Sequence, residues 1–184
     1  TTDGSENVYV TGRSYDGSST NIYTIKYDSS GNVLWNRTYD SGNDDWGFGI
    51  ATDGSDNVYV TGETNDGSTN NYVTIKYDSS GNVLWNRTYD GGDDDRAYGV
   101  DTDSSGNVFV AGYSEVGFNN YNYYTIKYDS SGNALWNETY DSGSVDKAFA
   151  LTTDSLDTVY VTGRNRDAES HNNFNTIRYV NTSS

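Results

Sequence analysis

The chain has no cysteine, no proline, no methionine and a single histidine in 184 residues. Without Cys there is no disulfide, no thiolate nucleophile and no Cys-ligated zinc. Without Pro, the tight turns rest on Asp, Ser and Gly. Without Met the chain cannot start at its own initiation codon, so a processed product or an excised piece is expected. A missing signal peptide then carries no information. With one non-recurring His171, no Ser-His-Asp arrangement can be assembled. No glycine-rich phosphate loop follows a strand and opens a helix.

Positive charge is scarce. Lys and Arg number 11 against 27 Asp and Glu, a formal net charge of -16. Phosphate binding needs a Lys/Arg surplus, so nucleic acid is not expected as a partner, nor is an anionic membrane surface. No apolar run is long enough to cross a bilayer, so no membrane insertion is expected. The acidity suits a soluble protein in salty or calcium-containing surroundings. Aliphatic residues are also few: Leu, Ile, Val and Phe together make 31 of 184. Below ~20% with a high net charge, composition alone points to disorder. Against this stand 18 Tyr and 4 Trp, which recur at fixed positions and can bury ~150–250 Å² each. A folded core built from aromatic rings is expected.

The recurrence is the main signal. "TIKYDSSGNVLWNRTYD" runs from Thr24 to Asp40 and again, unchanged, from Thr74 to Asp90. A third copy, Thr125 to Asp141, differs only at Ala134 and Glu138. "NVYVTG" at Asn7 returns at Asn57, as "NVFVAG" at Asn107 and as "TVYVTG" at Thr158. Each unit of about 50 residues reads as four short strands, A to D. In the second unit these are Gly47 to Thr52, Asn57 to Gly62, Tyr72 to Tyr77 and Val83 to Tyr89. The last would place Val83, Trp85 and Tyr89 on one face. Asp-, Ser- and Gly-rich turns between β-rich runs at even spacing indicate antiparallel sheet. A four-stranded unit of this length has the size of a propeller blade, with the small-residue strand A innermost and D outermost.

The expected fold is therefore all-β. It is a β-propeller arc of about four four-stranded antiparallel blades, forming one domain over residues 1–184. The count is 14 strands, with the first blade lacking A and the last lacking D. The units run approximately 1–45, 46–95, 96–146 and 147–184. Open blade edges invite pairing, so self-association is expected.

"GGDDDRAYGVDTDSSGNVFVAGYS", Gly91 to Ser114, resembles the SBBP seven-bladed β-propeller repeat of archaeal and bacterial surface and secreted proteins. The resemblance extends over essentially the whole chain. It implies the scaffold and an extracellular or cell-surface setting, and it is weak for function. The family's Pro-containing turn after the Gly of strand B is absent here.

Connection parity splits the turns between two faces. The A–B and C–D turns are nearly constant between units. The B–C loops and D–A links vary, and loops on a rigid scaffold are where binding usually resides. The candidate ligand-binding residues are Arg13, Tyr15, Asp16, Glu63, Asn65, Asp66, Tyr113, Glu115, Phe118, Arg164, Arg166, Asp167 and His171. The same positions could also be unconstrained loop residues. The D–A links carry Asp44, Asp45, Asp93, Asp94, Asp95 and Asp146. Hard oxygen ligands suit calcium, but one repeated carboxylate per blade also suits a cap on the first backbone N–H groups of strand A. Asn36, Asn86, Asn137 and Asn181 each open an N-glycan acceptor pattern, three of them on strand D. The expected function is an extracellular, non-catalytic structural or adhesion module whose partner is a protein or a surface glycan. The alternatives are a carbohydrate-binding propeller, calcium-assisted, with Tyr15, Tyr113 and Phe118 stacking on sugar rings, and a fragment of a polysaccharide-acting enzyme. No cofactor other than calcium is expected.

Overall fold

The computed structural model describes residues 1–167, 169 and 171–180. The first blade holds β1 (Val8–Tyr15), β2 (Thr20–Tyr27) and β3 (Val33–Tyr39). The second holds β4 (Asp45–Thr52), β5 (Val58–Asn65), β6 (Asn70–Tyr77) and β7 (Val83–Tyr89). The third holds β8 (Asp95–Thr102), β9 (Val108–Glu115), β10 (Tyr121–Tyr128) and β11 (Ala134–Tyr140). The fourth holds β12 (Asp146–Thr153), β13 (Val159–Arg166) and β14 (Asn172–Tyr179). Each sheet is antiparallel with its strands in chain order. The 14 strands thus form an open arc of four blades, the first without strand A and the last without D. Thr1 and Thr2 stand where Ala51 and Thr52 end β4, and Thr2 bridges Val8.

Strand B runs three residues beyond its glycine, in ladder register with strand C: Glu63 opposes Tyr72 and Asn65 opposes Asn70. The B–C loops are correspondingly short. Arg13, Tyr15, Glu63, Asn65, Tyr113, Glu115, Arg164 and Arg166 therefore lie on strands, not in loops as the sequence suggests.

Two bulges recur in the blades. Between strands A and B the register skips Phe48, Tyr98 and Phe149. Between C and D it skips Leu34, Leu84 and Leu135. The second bulge turns Val83 outward: it is 56% exposed while Trp85 is 8% exposed, so the expected common face is broken. A bulge adds a residue to one strand and bends it locally. The first bulge presses strand A against B, and a Cβ on Gly62, Gly112 or Gly163 would overlap the carbonyl oxygen of Trp46, Arg96 or Lys147. At the inner edge, adjacent A strands converge. A Cβ on Gly49 would lie 2.7 Å from the Tyr98 carbonyl oxygen, and one on Gly99 2.8 Å from the Leu151 nitrogen. That is why strand A is small.

The core lies between blades. Each seam repeats one aromatic triplet: Tyr9–Trp35–Tyr77, Tyr59–Trp85–Tyr128 and Phe109–Trp136–Tyr179, with centroids 5.7–6.1 Å apart. Val58, Val60, Val73 and Ile75 fill the first seam.

The repeated stretch makes its own partner. Trp35 Nε1 and Lys26 Nζ donate to the Ser79 carbonyl, and Arg37 donates to the Gly81 and Ser80 carbonyls of the next blade's C–D turn. Trp85, Lys76 and Arg87 do the same to Ser130, Gly132 and Ser131 one blade on. Lys, Trp and Arg of one copy thus grip the "DSSG" of the following copy. Neighbouring units need identical segments for this contact to repeat. Each Lys also pairs with the Asp of its own A–B turn: Lys26 with Asp3 at 3.3 Å, Lys76 with Asp53 at 4.0 Å and Lys127 with Asp103 at 3.5 Å. Both partners are nearly buried, and a buried charge persists only when paired.

Candidate functional site

The acidic loop residues mostly build their own loops. The Asp16 carboxylate accepts the Ser18 and Ser19 N–H groups and the Asn21 amide. Asp66 accepts from Ser68 and Thr69. Asp167 accepts from the backbone of Glu169 and His171, and from Asn173. These bonds hold all three carboxyls below the usual carboxylate range. His171 Nδ1 lies 3.4 Å from Asp167 on the surface. Glu115 accepts the Asn119 N–H, and Asn65 the Gly67 N–H.

The D–A carboxylates divide by position. Asp44 and Asp94 accept the Thr20 and Asn70 N–H groups, stapling the end of the preceding blade's B–C loop, whereas Asp93 accepts that of Gly117 in the B–C loop of the blade that follows it. Asp45, Asp95 and Asp146 are fully buried. They accept the N–H groups of Ser41, Gly91 and Ser142, four residues back. Burial raises all three carboxyls, Asp95 to about 6. Among the described residues no group of three or more His, Cys, Asp or Glu gathers as a metal site. Asn36, Asn86 and Asn137 are exposed on β3, β7 and β11, at the outer rim. Asn181 lies outside the described residues.

What remains on the variable face is organised by the seams. The second residue of each strand A meets the residue after the strand B glycine of the blade before. Arg13 lies over the Trp46 ring at 4.1 Å. Arg96 Nε is 2.6 Å from Glu63 Oε2. Lys147 Nζ is 4.1 Å from the Tyr113 ring and 3.4 Å from the Tyr121 ring. Three equivalent positions thus hold three chemically different pairs. Glu63 and Tyr113 are buried, at 3% and 4% exposed, because a neighbouring cation covers each one. Tyr113 is therefore not the exposed stacking ring the sequence suggests. Tyr15 and Phe118 are exposed, at 68% and 95%. Burial pushes Glu63 up to about 7, opposed by Arg96 and Arg13.

Below these pairs, the bulge residues form an aromatic ledge along the inner edge. Phe48 stacks on Tyr98 at 4.9 Å, and Phe149 meets Tyr98 edge-on at 5.5 Å. Phe48 and Phe149 are 37% and 44% exposed. The ledge touches a lining residue of each of two cavities: Trp46 meets Phe48 edge-on at 6.3 Å and Arg164 lies 6.0 Å from the Phe149 ring. One, of about 420 Å³, is lined by Trp46, Glu63 and Arg96 among others. The other, of about 400 Å³, is lined by Asn119, Tyr121, Val145, Lys147, Arg164, Arg166 and Asn172.

The cations account for this face. Of the 11 Lys and Arg, Lys26, Lys76, Lys127 and Arg178 lie on strand C, and Arg37 and Arg87 on strand D. The other five, Arg13, Arg96, Lys147, Arg164 and Arg166, all lie where strands A and B meet the variable face. Sequence reasoning found Arg13, Arg164 and Arg166 but missed Trp46, Phe48, Arg96, Tyr98, Lys147 and Phe149. A signal was available: the second residue of strand A, directly after an Asp present in every copy, changes from Trp to Arg to Lys.

Residues 40–73 match SBBP, a beta-propeller repeat family. They cover the D–A link, strands A and B and the start of strand C of the second blade. No curated protein matches the chain. Among solved structures, a protein of unknown function from Bacteroides caccae aligns with 92% of this chain at 13% identity and a TM-score of 0.52. The chain spans 57% of that protein's length. At that identity the likeness concerns the fold.

Proposed function

We propose that the chain is a non-catalytic interaction module working outside the cell or at its surface. Its ligand would meet the inner rim of the variable face. One observation carries this reading: the five Lys and Arg that lie outside strands C and D all converge there, beside an exposed aromatic ledge. On the opposite face the turns are closed by their own Asp, and the C–D turns of the second and third blades are also gripped by the blade before. An adhesion assay with the labelled chain on bacterial and host cell surfaces tests the reading. Binding lost on reversing Arg164 and Arg166 to Glu, and kept on changing exposed Ser29 to Ala, supports it. Binding that ignores the rim variants overturns it.

Exposed Phe48 and Phe149 favour a second reading, in which the partner is a glycan. Aromatic faces stack on the apolar side of sugar rings, while the loop amides bond hydroxyls. Rim carboxylates such as Asp44 would be the place to look for calcium assistance, and chelator sensitivity on a glycan array tests that. The exposed Asn36, Asn86 and Asn137 side chains suit N-glycan attachment in a secreted protein; peptide mass mapping of native material decides it.

Self-association has a specific surface. Ile22, Tyr72 and Tyr123 hold equivalent positions and are at most 1% exposed in seams, whereas Phe174, the fourth, is 82% exposed. At the other end Val8 and Val10 are 39% and 49% exposed, where their equivalents Val58 and Val60 are fully buried. A second copy docking head to tail would cover both. Light scattering checks for a dimer.

A further inference from the structure

We propose that the inner rim at the seam of the third and fourth blades binds an acidic polysaccharide. Its carboxylates would meet Lys147, Arg164 and Arg166, and its rings the Phe149–Phe48 ledge. The proposal rests on the glycan reading above and names the class of glycan.

The first argument is charge. Lys147, Arg164 and Arg166 line one cavity of about 400 Å³. Among the described residues none of the three makes an ion pair, in a chain with 27 Asp and Glu. The buried Arg164 Nε has no hydrogen-bond partner among them. Burial lowers the Lys147 ammonium to about 8, with Arg164 and then Arg96 adding to the shift. Glu115 and Asp94 offset only part of this at Lys147; like charges gathered without a direct ion pair destabilise the free protein, and an anion relieves this. Arg guanidinium groups pair with carboxylates in a planar, two-pronged geometry.

The second argument is shape. The amides of Asn119 and Asn172 line the same cavity and suit hydroxyl groups. From there the ledge Phe149–Tyr98–Phe48 leads toward the other cavity and Arg96. Cations at intervals beside a row of rings match a polymer that alternates sugar faces with charged groups. A duplex nucleic acid presents denser charge to a body of net charge -16, and three cations would not offset that repulsion.

Isothermal titration of the whole chain with a defined oligogalacturonate tests the proposal, with the methyl-esterified oligomer and inorganic phosphate as comparators. The acid oligomer is expected to bind at least tenfold more tightly than the ester, and to weaken as salt is added. Arg164→Ala and Lys147→Ala should each weaken it at least tenfold. Arg166→Ala changes an exposed side chain, so its loss of binding cannot be attributed to misfolding; Ser29→Ala should change nothing. Equal binding of acid and ester, untouched by Arg166→Ala, overturns the proposal and leaves the glycan reading standing. Binding of phosphate alone overturns it in favour of a simple anion site. Failure of all three probes, with surface adhesion intact, overturns it without touching the proposed module function.

Discussion

The Trp85 indole N–H donates to the Ser130 carbonyl oxygen across 3.1 Å, joining strand D of the second blade to the C–D turn of the third. Trp35 makes the same bond to Ser79 one blade earlier. Replacing Trp85 by Phe keeps a ring between Tyr59 and Tyr128 but removes the donor. The expected cost is about 0.5–1.5 kcal/mol. Trp85→Ala also removes the ring and should cost about 3–5 kcal/mol. Urea unfolding midpoints compare the two. No loss in Trp85→Phe would mean that the hydrogen bond across the seam contributes nothing, and equal losses would mean that the ring adds nothing beyond it.

Arg87 donates to the Gly132 and Ser131 carbonyls, whereas the third copy has Glu138 in its place. The fourth blade has Val180 where the two gripped turns have Asp78 and Asp129. Loss of the grip and loss of the turn's Asp thus coincide. Arg87→Glu should cost about 1–2 kcal/mol, because charged hydrogen bonds are lost from a half-exposed site. Glu138→Arg should stay within about 0.5 kcal/mol. Equal and large effects at both positions would contradict the grip.

Gly112 is backed by the Arg96 carbonyl, while a Cβ on Gly12 would meet nothing within 4 Å. The first blade lacks the strand that would crowd it. Gly112→Ala should destabilise by about 1–3 kcal/mol through overpacking, and Gly12→Ala by less than about 0.5 kcal/mol. Thermal melts of the pair test whether strand A causes the glycine requirement.

The pH dependence has two opposed parts. Burial holds Asp95 at about 6 against an ordinary 3.8, so it favours the folded state only when protonated. Its contribution is present below pH 3.8 and lost as pH rises to about 6. Asp28, Asp78 and Asp129 are shifted down by hydrogen bonds from Asn32, Asn82 and Asn133. Their contribution is present above 3.8 and lost as pH falls below it. The melting temperature should therefore peak at about pH 4 and fall as pH rises to about 6. Asp95→Asn, which keeps an acceptor for the Gly91 N–H, should flatten the rise from neutral pH. A melting temperature that falls steadily below about pH 7 would contradict the burial argument.

Much of the fold is legible because local chemistry repeats. The Asp-to-Asn turns, the small strand A and the Tyr and Trp registers each state one requirement several times. The turn register holds even where Glu6, Asp56 and Asp157 take the positive φ that Gly106 takes in the third blade. The bulges were not legible, because Phe48 and Leu84 look like ordinary strand residues until two registers are compared. The same limit hid the site. Lys147 meets Tyr113 only across a seam, 34 residues away in sequence, and no local pattern signals that pairing. Tyr113 looked like an exposed loop ring because its cover comes from the next blade.

The central claim is a division of labour: one face of the arc recognises itself and the other recognises a partner. Backbone amide shifts by nuclear magnetic resonance, during titration with oligogalacturonate, test it most directly. The account predicts shifts clustered at Asn119–Tyr121, Lys147, Phe149 and Arg164–Arg166, with the Asp28–Asn32, Asp78–Asn82 and Asp129–Asn133 turns unmoved. Shifts centred on those turns would contradict it.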